Sequence, residues 1–237
     1  MRRKKSKGDY SKNKFKGNLA VIKETLPEIY KKLLSAFGFQ NWWPADTSFE
    51  VVVGAVLTQQ TSWKNVEHAI SCLKEANLLD LYSISHSSSK KIESCVYSCG
   101  YYRQKTKTLK ELCTYIEKNY KNMEEFTNAN DKILRNQLLA IHGIGNETAD
   151  SILLYACNKP YFVIDAYTKR LINRVFGIEI FDYAFLQKLF SDAFKKDVAI
   201  YKDVHAQIIA LNKIYCKKIN PLCDFCPIKS ICRYTFM

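Results

Sequence analysis

The chain has 237 residues, of which 47% are hydrophobic and 25% are charged. This is enough for one large domain or two modest ones with a buried core. Its longest uninterrupted apolar run, Val51 to Leu57, is far too short to cross a bilayer, and no apolar segment follows the basic N-terminal residues. We therefore expect neither membrane insertion nor secretion, but a monomer in the cytoplasm, at the nucleoid if the host is bacterial or archaeal.

Positive charge dominates the sequence. Lysine and arginine number 36 against 23 acidic residues, which leaves a formal net charge of +13 at pH 7. Such an excess favours a polyanionic partner, with nucleic acid first. Over half of it lies within residues 1–16, where Asp9 is the single acid. We interpret residues 1–17 as a disordered basic tail that is either a solvated arm or a sequence-independent DNA tether.

The periodicity of apolar residues predicts an all-α protein. A capping box of Thr25 and Glu28, with Pro27 in the first turn, predicts a first helix that Gly38 ends. The valine-rich stretch 50–60 suits a buried strand as well as a helix. The predicted helices after the first one span residues 48–59, 63–76, 102–119, 131–141, 146–157, 166–176, 183–194 and 198–215.

Nine cysteines divide into two groups. We interpret five, scattered among apolar neighbours, as small, buried, reduced side chains; they are Cys72, Cys95, Cys99, Cys113 and Cys157. The other four occupy the last 22 residues with the spacing C-x6-C-x2-C-x5-C; they are Cys216, Cys223, Cys226 and Cys232. Four soft ligands at this spacing can surround a zinc ion or an iron-sulfur cluster, and the spacing alone leaves that choice open.

The segment LLAIHGIGNETADSILLYA predicts a helix-hairpin-helix. One helix ends near Ile141, two glycines (Gly143 and Gly145) permit positive φ, and a second helix starts at Asn146. Amides freed at such a turn can hold a DNA phosphate without reading a base. The candidate DNA-binding residues are His142, Gly143, Ile144, Gly145 and Asn146. An ordinary tight turn between helices is the alternative.

An aspartate follows the hairpin at a chemically informative position. In YFVIDAYTKRLINRVFG, Asp165 comes directly after an apolar stretch and opens a helix with basic residues. It can be a plain N-cap of that helix. A carboxylate at a helix N-terminus also stays ionised, and could stabilise a cationic sugar or activate water.

Taken in order, these features closely resemble the endonuclease III-like, helix-hairpin-helix (HhH-GPD) DNA glycosylases. The resemblance covers about residues 20–232 and rests on LLAIHGIGNETAD, FVID and the terminal cysteines. It implies two helical lobes with an active site in a cleft between them. One lobe would be a six-helix barrel, residues 42–149, with the hairpin at about 131–157. The other would join residues 18–41 to 150–237, with a [4Fe-4S] cluster at 216–232 on Cys216, Cys223, Cys226 and Cys232.

The resemblance also implies roles for single residues. Asp165 matches the catalytic aspartate, and Gln60 matches a polar residue that fills the gap left by an extruded nucleotide. In family members that also cut the strand, a lysine occupies the position of Glu147, and a glutamate cannot form an imine, so we expect no lyase activity. Ala55 replaces the glutamate of the adenine-mismatch branch, which we set aside.

A glutamate at this hairpin position resembles the 3-methyladenine DNA glycosylase III branch, as do the segments FQNWWPADTSFE and AVLTQQTSW. Trp42 and Trp43 are candidates to stack on an extruded base or to fill the barrel core. An alkylated purine is cationic, so it leaves without a proton donor and is attracted to aromatic faces. Glu147 could attract that base, although a favourable acid in a first helical turn explains it better, and we interpret His142 as structural.

We therefore expect a monofunctional N-glycosylase of base excision repair that acts on double-stranded DNA with alkylated purines. The alternative within enzymes is a uracil, mismatched thymine or oxidised pyrimidine glycosylase on the same fold. The alternative from another class is a DNA-binding lesion sensor without catalysis. Asp165 counts against that sensor, because pure binding would not need an anion facing phosphates.

Overall fold

Helices are the regular secondary structure of residues 16–179 and 182–236, the part of the chain that this computed structural model describes, and no strand occurs there. The predicted all-α class is confirmed. The predicted basic tail lies outside the described residues, except that Lys16 and Gly17 already belong to the first helix.

In chain order the α-helices are α1 (Lys16–Phe37), α2 (Ser48–Leu57), α3 (Trp63–Glu75), α4 (Leu81–His86), α5 (Ser89–Val96), α6 (Tyr102–Asn119), α7 (Met123–Asn128), α8 (Asp131–Ala140), α9 (Asn146–Ser151), α10 (Ala166–Phe176), α11 (Tyr183–Ala193) and α12 (Val198–Ile214). Five residues in π-helical conformation, Ile152–Ala156, continue α9. Short 3₁₀ turns follow α5 at Tyr97–Cys99 and α12 at Cys223–Phe225, Lys229–Ile231 and Arg233–Phe236.

The chain divides into two compact units. Unit 1 contains Met1–Gln40 and Ile164–Met237, and unit 2 contains Asn41–Val163. The second boundary therefore lies fourteen residues beyond the position 149/150 that the resemblance implies. The physical reason is that the turns Ile152–Ala156 pack on α2 and are buried with it.

Unit 1 is built on the apolar face of α1. Ile22, Leu26, Ile29 and Leu33 are buried at helical spacing, and α1 packs against α11 and α12, while α10 packs on α12. This stripe begins before Thr25, so the predicted start of the helix at Thr25 is wrong. The Thr25 hydroxyl instead donates to the Val21 carbonyl at 2.7 Å, and Pro27 lies inside the helix.

Unit 2 is built around α2. Every residue from Phe49 to Leu57 is buried, and α2 contacts α3, α6, α7 and the end of the α9 segment. A helix that is apolar on all sides belongs in a core, which resolves the ambiguity of this valine-rich stretch in favour of a helix. Thr47 caps its N-terminus by accepting a hydrogen bond from the Glu50 amide at 3.1 Å.

Two of the five scattered cysteines are not free thiols, which corrects the expectation from sequence. Cys72 in α3 and Cys95 in α5 form a disulfide across 23 residues. The packing of α3 on α5 brings their Cα atoms to 5.2 Å, a separation that a disulfide can span. The remaining three, Cys99, Cys113 and Cys157, are buried free thiols as predicted.

Candidate active site

In the hairpin between α8 and α9, one of the two glycines has the positive φ that the sequence predicts, and the other does not. Gly143 has φ of +88°, and a Cβ there would lie 2.2 Å from the Thr108 hydroxyl oxygen, which donates to the His142 carbonyl at 3.0 Å. Gly145 has φ of −95° and ψ of −178°, so its expected positive φ is wrong. It is the N-cap of α9, and a Cβ there would meet nothing within 4 Å.

The space beside Gly145 leaves the first turn of α9 approachable. Asn146 and Glu147 are both exposed there, whereas Ile144 is buried and anchors the turn. Amides at a helix N-terminus present partial positive charge to an anion. The hairpin can therefore take a phosphate oxygen without a lysine.

A buried ion pair holds the hairpin in this conformation. Arg135 of α8 donates from Nε to Asp150 Oδ1 at 2.7 Å and from Nη2 to Asp150 Oδ2 at 3.1 Å. The same Nη2 donates to the Asn146 side-chain oxygen at 3.0 Å. Asp150 is fully buried and the Arg135 side chain is 21% exposed, so this bidentate pair is partly shielded from water. Neither Arg135 nor Asp150 carries a local sequence signal, and sequence reasoning missed both.

Two glutamines, Gln59 and Gln60, follow the C-terminal end of α2 and lie near the hairpin. Gln59 donates from Nε2 to the Gly143 carbonyl at 2.9 Å and to the Thr148 hydroxyl at 2.8 Å. Gln60 is exposed, with a left-handed φ of 52° that non-glycine residues seldom adopt. Both line a cavity of about 310 Å³; its other lining residues are Tyr101, Gln104, Lys105, Thr108, His142 and Gly143.

A buried lysine, Lys105, links the helices that border this cavity. Lys105 of α6 donates from Nζ to the carbonyls of Leu57, at 2.9 Å, and Cys99, at 2.8 Å. Burial lowers the pKa of Lys105 below its usual range. The lysine ties α6 to the C-terminal end of α2, just before the two glutamines.

The predicted tryptophans belong to an aromatic cluster of unit 2. The Trp42 ring centroid lies 5.6 Å from that of Trp43 and 4.7 Å from that of Trp63. Trp43 also lies 5.2 Å from Trp63 and 5.3 Å from Tyr155. A Cβ on Gly54 would lie 3.1 Å from the Trp43 ring, so this glycine makes room for it.

The three tryptophans are half-buried, so none is a simple core plug. Trp43 and Trp63 line a cavity of about 260 Å³ together with Glu50 and Glu67. Lys74 lines the same cavity and pairs with Glu50 at 2.9 Å, so it is the aromatic faces that suit a flat group there. Sequence reasoning did not single out Trp63, whose ring reaches the pair at 42 and 43 only through the packing of α3.

In unit 1, Asp165 is the N-cap of α10, as predicted from its position. Its Oδ1 accepts a hydrogen bond from the Thr168 amide at 2.7 Å. Its Oδ2 lies 3.4 Å from His205 Nε2 of α12, and both residues are buried. Burial raises the pKa of Asp165, but His205 and the Thr168 hydrogen bonds outweigh it, so that the pKa is lowered overall. No local sequence pattern points to His205, which lies in a largely buried helix.

The four C-terminal cysteines line one small cavity of unit 1 with apolar neighbours that include Leu171 and Ile228. Arg174 donates from Nη1 to the Cys216 sulfur at 3.1 Å and to the Lys217 carbonyl at 2.8 Å. Burial raises the pKa of Cys226 to about 11, to which the charges of its three neighbouring thiols also contribute. Within residues 16–179 and 182–236, no group of three or more His, Cys, Asp or Glu side chains is arranged around a common metal-ion position.

In the described part of the chain, none of the helices has both the length and the apolar character needed to span a membrane. Comparison with known proteins then identifies the chain. It belongs to the HhH-GPD superfamily of base excision DNA repair proteins, whose family model matches residues 53–196. The predicted relationship to endonuclease III-like helix-hairpin-helix glycosylases is confirmed.

Three similar proteins illustrate the relationship. A proposed DNA repair glycosylase of Methanocaldococcus jannaschii is 48% identical over 212 residues, which cover 88% of this chain and 96% of that protein. The structure of the 3-methyladenine DNA glycosylase MagIII of Helicobacter pylori, bound to 1,N6-ethenoadenine, matches with a TM-score of 0.71 and 31% identity over 81% of this chain and 97% of that one. A non-covalent endonuclease III–DNA complex matches with a TM-score of 0.78 and 19% identity over 90% and 96%, a likeness of fold.

The two hairpin glycines make a matched test of backbone geometry. Gly143→Ala should lower the free energy of unfolding by about 1–3 kcal/mol, because the new Cβ meets Thr108 at a left-handed position. Gly145→Ala should stay within about 1 kcal/mol, since its backbone is extended and its surroundings are open. Urea unfolding followed by circular dichroism measures both. Equal losses for the two variants would contradict this account of the turn.

Proposed function

We propose that this chain is a monofunctional DNA N-glycosylase that hydrolyses the N-glycosidic bond of alkylated purines, such as 3-methyladenine, flipped out of double-stranded DNA. The observation that carries the proposal is the state of Asp165. This carboxylate is buried yet has a lowered pKa, because His205 and the Thr168 amide stabilise its charge. A buried, ionised carboxylate is suited to a reaction that develops positive charge.

Base release has such a transition state. As the glycosidic bond breaks, the sugar acquires oxocarbenium character, and a nearby carboxylate stabilises it and can position the attacking water. An alkylated purine is already cationic, so its departure needs no general acid. Asp165 would remain an anion throughout and serve the sugar rather than the base.

Affinity for DNA is supported from unit 2. The open first turn of α9 beside Gly145 offers amides to a phosphate, and the chain as a whole carries a net charge of +13. The exposed Gln60, held in a left-handed conformation near the hairpin, is suited to fill the gap left by a flipped nucleotide. The similar endonuclease III structure is a complex with DNA, which agrees with these features.

The aromatic cluster supports the choice of substrate. Half-buried Trp42 and Trp43 offer π-faces, which attract a cationic purine more strongly than its neutral parent. The similar Helicobacter pylori enzyme, at 31% identity, is a 3-methyladenine glycosylase bound to a modified adenine. These features favour alkylated purines over uracil, mismatched thymine or oxidised pyrimidines.

The four terminal cysteines line one small cavity with apolar neighbours. Their order and spacing resemble those of the cluster-binding cysteines of endonuclease III-like glycosylases. We propose that Cys216, Cys223, Cys226 and Cys232 hold a [4Fe-4S] cluster. It would crosslink the end of the chain to α10 and take no part in the hydrolysis.

Asp165→Asn tests the catalytic role without removing the helix cap, since asparagine caps as well as aspartate does. We expect release of 3-methyladenine from duplex DNA to fall by at least about 100-fold, with DNA affinity unchanged. Single-turnover release and a gel-shift titration measure the two quantities. The matched control is Asp197→Asn, which changes the exposed cap of α12 and should leave release intact. An active Asp165→Asn enzyme would remove the mechanism, and release of uracil, thymine or oxidised pyrimidines instead would correct the substrate.

The absence of lyase chemistry is tested separately. Because Glu147 cannot form an imine, we expect no strand cleavage at an abasic site before alkali is added, and no covalent adduct with borohydride. Denaturing gels of protein–DNA mixtures read both. Endonuclease III, run in parallel, is the reference for cleavage. An adduct with this protein would show that another amine attacks the sugar.

The metal is tested on protein purified without oxygen. We expect brown protein with iron and sulfide in equal amounts, about four of each per chain, for a [4Fe-4S] cluster. Cys226→Ser should lose most of this iron, whereas Cys157→Ala, which changes a buried thiol of unit 2, should keep it. Colourless protein with one zinc per chain would overturn the assignment.

A further inference from the structure

Asp165 is contacted through both of its carboxylate oxygens, and only one contact is the helix cap. Oδ1 accepts from the Thr168 amide at 2.7 Å, as an N-cap requires. Oδ2 faces Nε2 of His205 at 3.4 Å, and the two side chains are 11% and 6% exposed. The cap would be complete without the histidine, so this second contact has no part in starting α10.

We propose that His205 is a positioning residue for Asp165, holding Oδ2 so that the carboxylate stays ionised and fixed in orientation for the sugar. This inference rests on the proposed function of Asp165. An ionised carboxylate has about four lone-pair sites, and the two contacts leave others for a substrate or a water. At 3.4 Å the two atoms approach closely, but outside the geometry of a hydrogen bond. Catalytic contacts are often long or poorly aligned before substrate binds.

The helix that carries His205 is itself anchored on both sides of it. Two residues earlier, Asp203 accepts from the Tyr30 hydroxyl and from the Gln40 amide, each at 2.9 Å. Two residues later, Gln207 donates from Nε2 to the Gly38 carbonyl at 2.7 Å. These part-buried hydrogen bonds fix α12 against α1 and the segment after it. His205 is therefore presented to Asp165 from a rigid support rather than from a mobile loop.

The electrostatic surroundings of the carboxylate explain why a histidine is useful there. Burial alone raises the pKa of Asp165, and this is the largest single influence. His205 from α12 and Thr168 from α10 act in the opposite direction and together lower the pKa below its ordinary value. From α11, the Tyr183 hydroxyl accepts from the amide of Ile164, the residue before Asp165, at 3.4 Å.

The sign of the pH dependence follows. The active form of Asp165 is ionised, so activity is lost as the pH falls through its folded pKa. Because His205 lowers the pKa of Asp165, this loss of activity occurs at a lower pH when His205 is present. Without His205 the burial effect is less opposed, and the acid limb of the pH–rate profile moves to higher pH. A histidine that merely filled space in the core would not move this limb.

The test compares two replacements of the ring. His205→Leu removes the N–H, and we expect single-turnover base release at pH 7 to fall about 10- to 100-fold, by analogy with other supporting side chains. Its acid limb should move to higher pH, with DNA affinity unchanged. His205→Gln places an amide N–H at the position of Nε2, and should recover the rate to within about threefold of the unmodified protein. The matched control is Tyr201→Phe, one turn earlier on α12, which should leave the acid limb in place.

Each outcome distinguishes a positioning role of the His205 N–H from simple packing of the ring. Equal impairment by leucine and glutamine would show that ring packing matters rather than the N–H, and a leucine variant with the original rate and profile would remove any role; both overturn the inference. If the leucine variant does not fold, His205→Asn takes its place, because its amide lies at the position of Nδ1 and cannot reach Asp165. If the unmodified protein releases no base, the proposed function fails first, and the two failures are thereby distinguished.

Discussion

The structure depends on a carboxylate that is buried and charged at the same time. Desolvation alone would raise the pKa of Asp165, and a neutral acid could not stabilise a cationic sugar. Two features of unit 1 reverse that tendency: the amide of Thr168 at the start of α10, and the ring of His205 on α12. The helix cap and the proposed chemistry thus use the same atoms, which explains why a residue that looks structural in sequence is also a candidate catalytic group.

Unit 2 contains a second polar site that must be held in one conformation, the hairpin between α8 and α9. The proposed phosphate site needs exposed backbone amides at the hairpin, and such amides can hold an anion only if the turn is rigid. The close approach of Gly143 to Thr108 and the bidentate pair of Arg135 with Asp150 supply that rigidity. A buried ion pair contributes little net stability compared with apolar packing, but leaving one partner alone is costly, so it selects one arrangement of α8 and α9.

Local chemistry explains which parts of the fold were predictable. The starts of the helices at Ser48, Trp63 and Ala166 were predicted correctly, because each follows a residue that caps through its own side chain. The predicted start of the first helix is wrong, because there the local capping signal is misleading. Thr25 has the composition of a cap, but the apolar stripe that packs on α11 and α12 extends back to Ile22, and packing overrides the local signal. Short helices such as α4 and α7 contain too few turns to show periodicity, and were missed.

The sequence by itself determined the all-α class, the family, the hairpin, the N-cap position of Asp165 and the set of terminal cysteines. Each of these depends on residues that are close together in the chain. Only the tertiary structure decided which side chains support them. His205 lies 40 positions from Asp165, and Trp63 lies about 20 from the Trp42–Trp43 pair. The disulfide between Cys72 and Cys95 likewise depends on how two helices pack. Such pairings arise from the packing of separate helices, and periodicity within one helix carries no information about the partner it will meet.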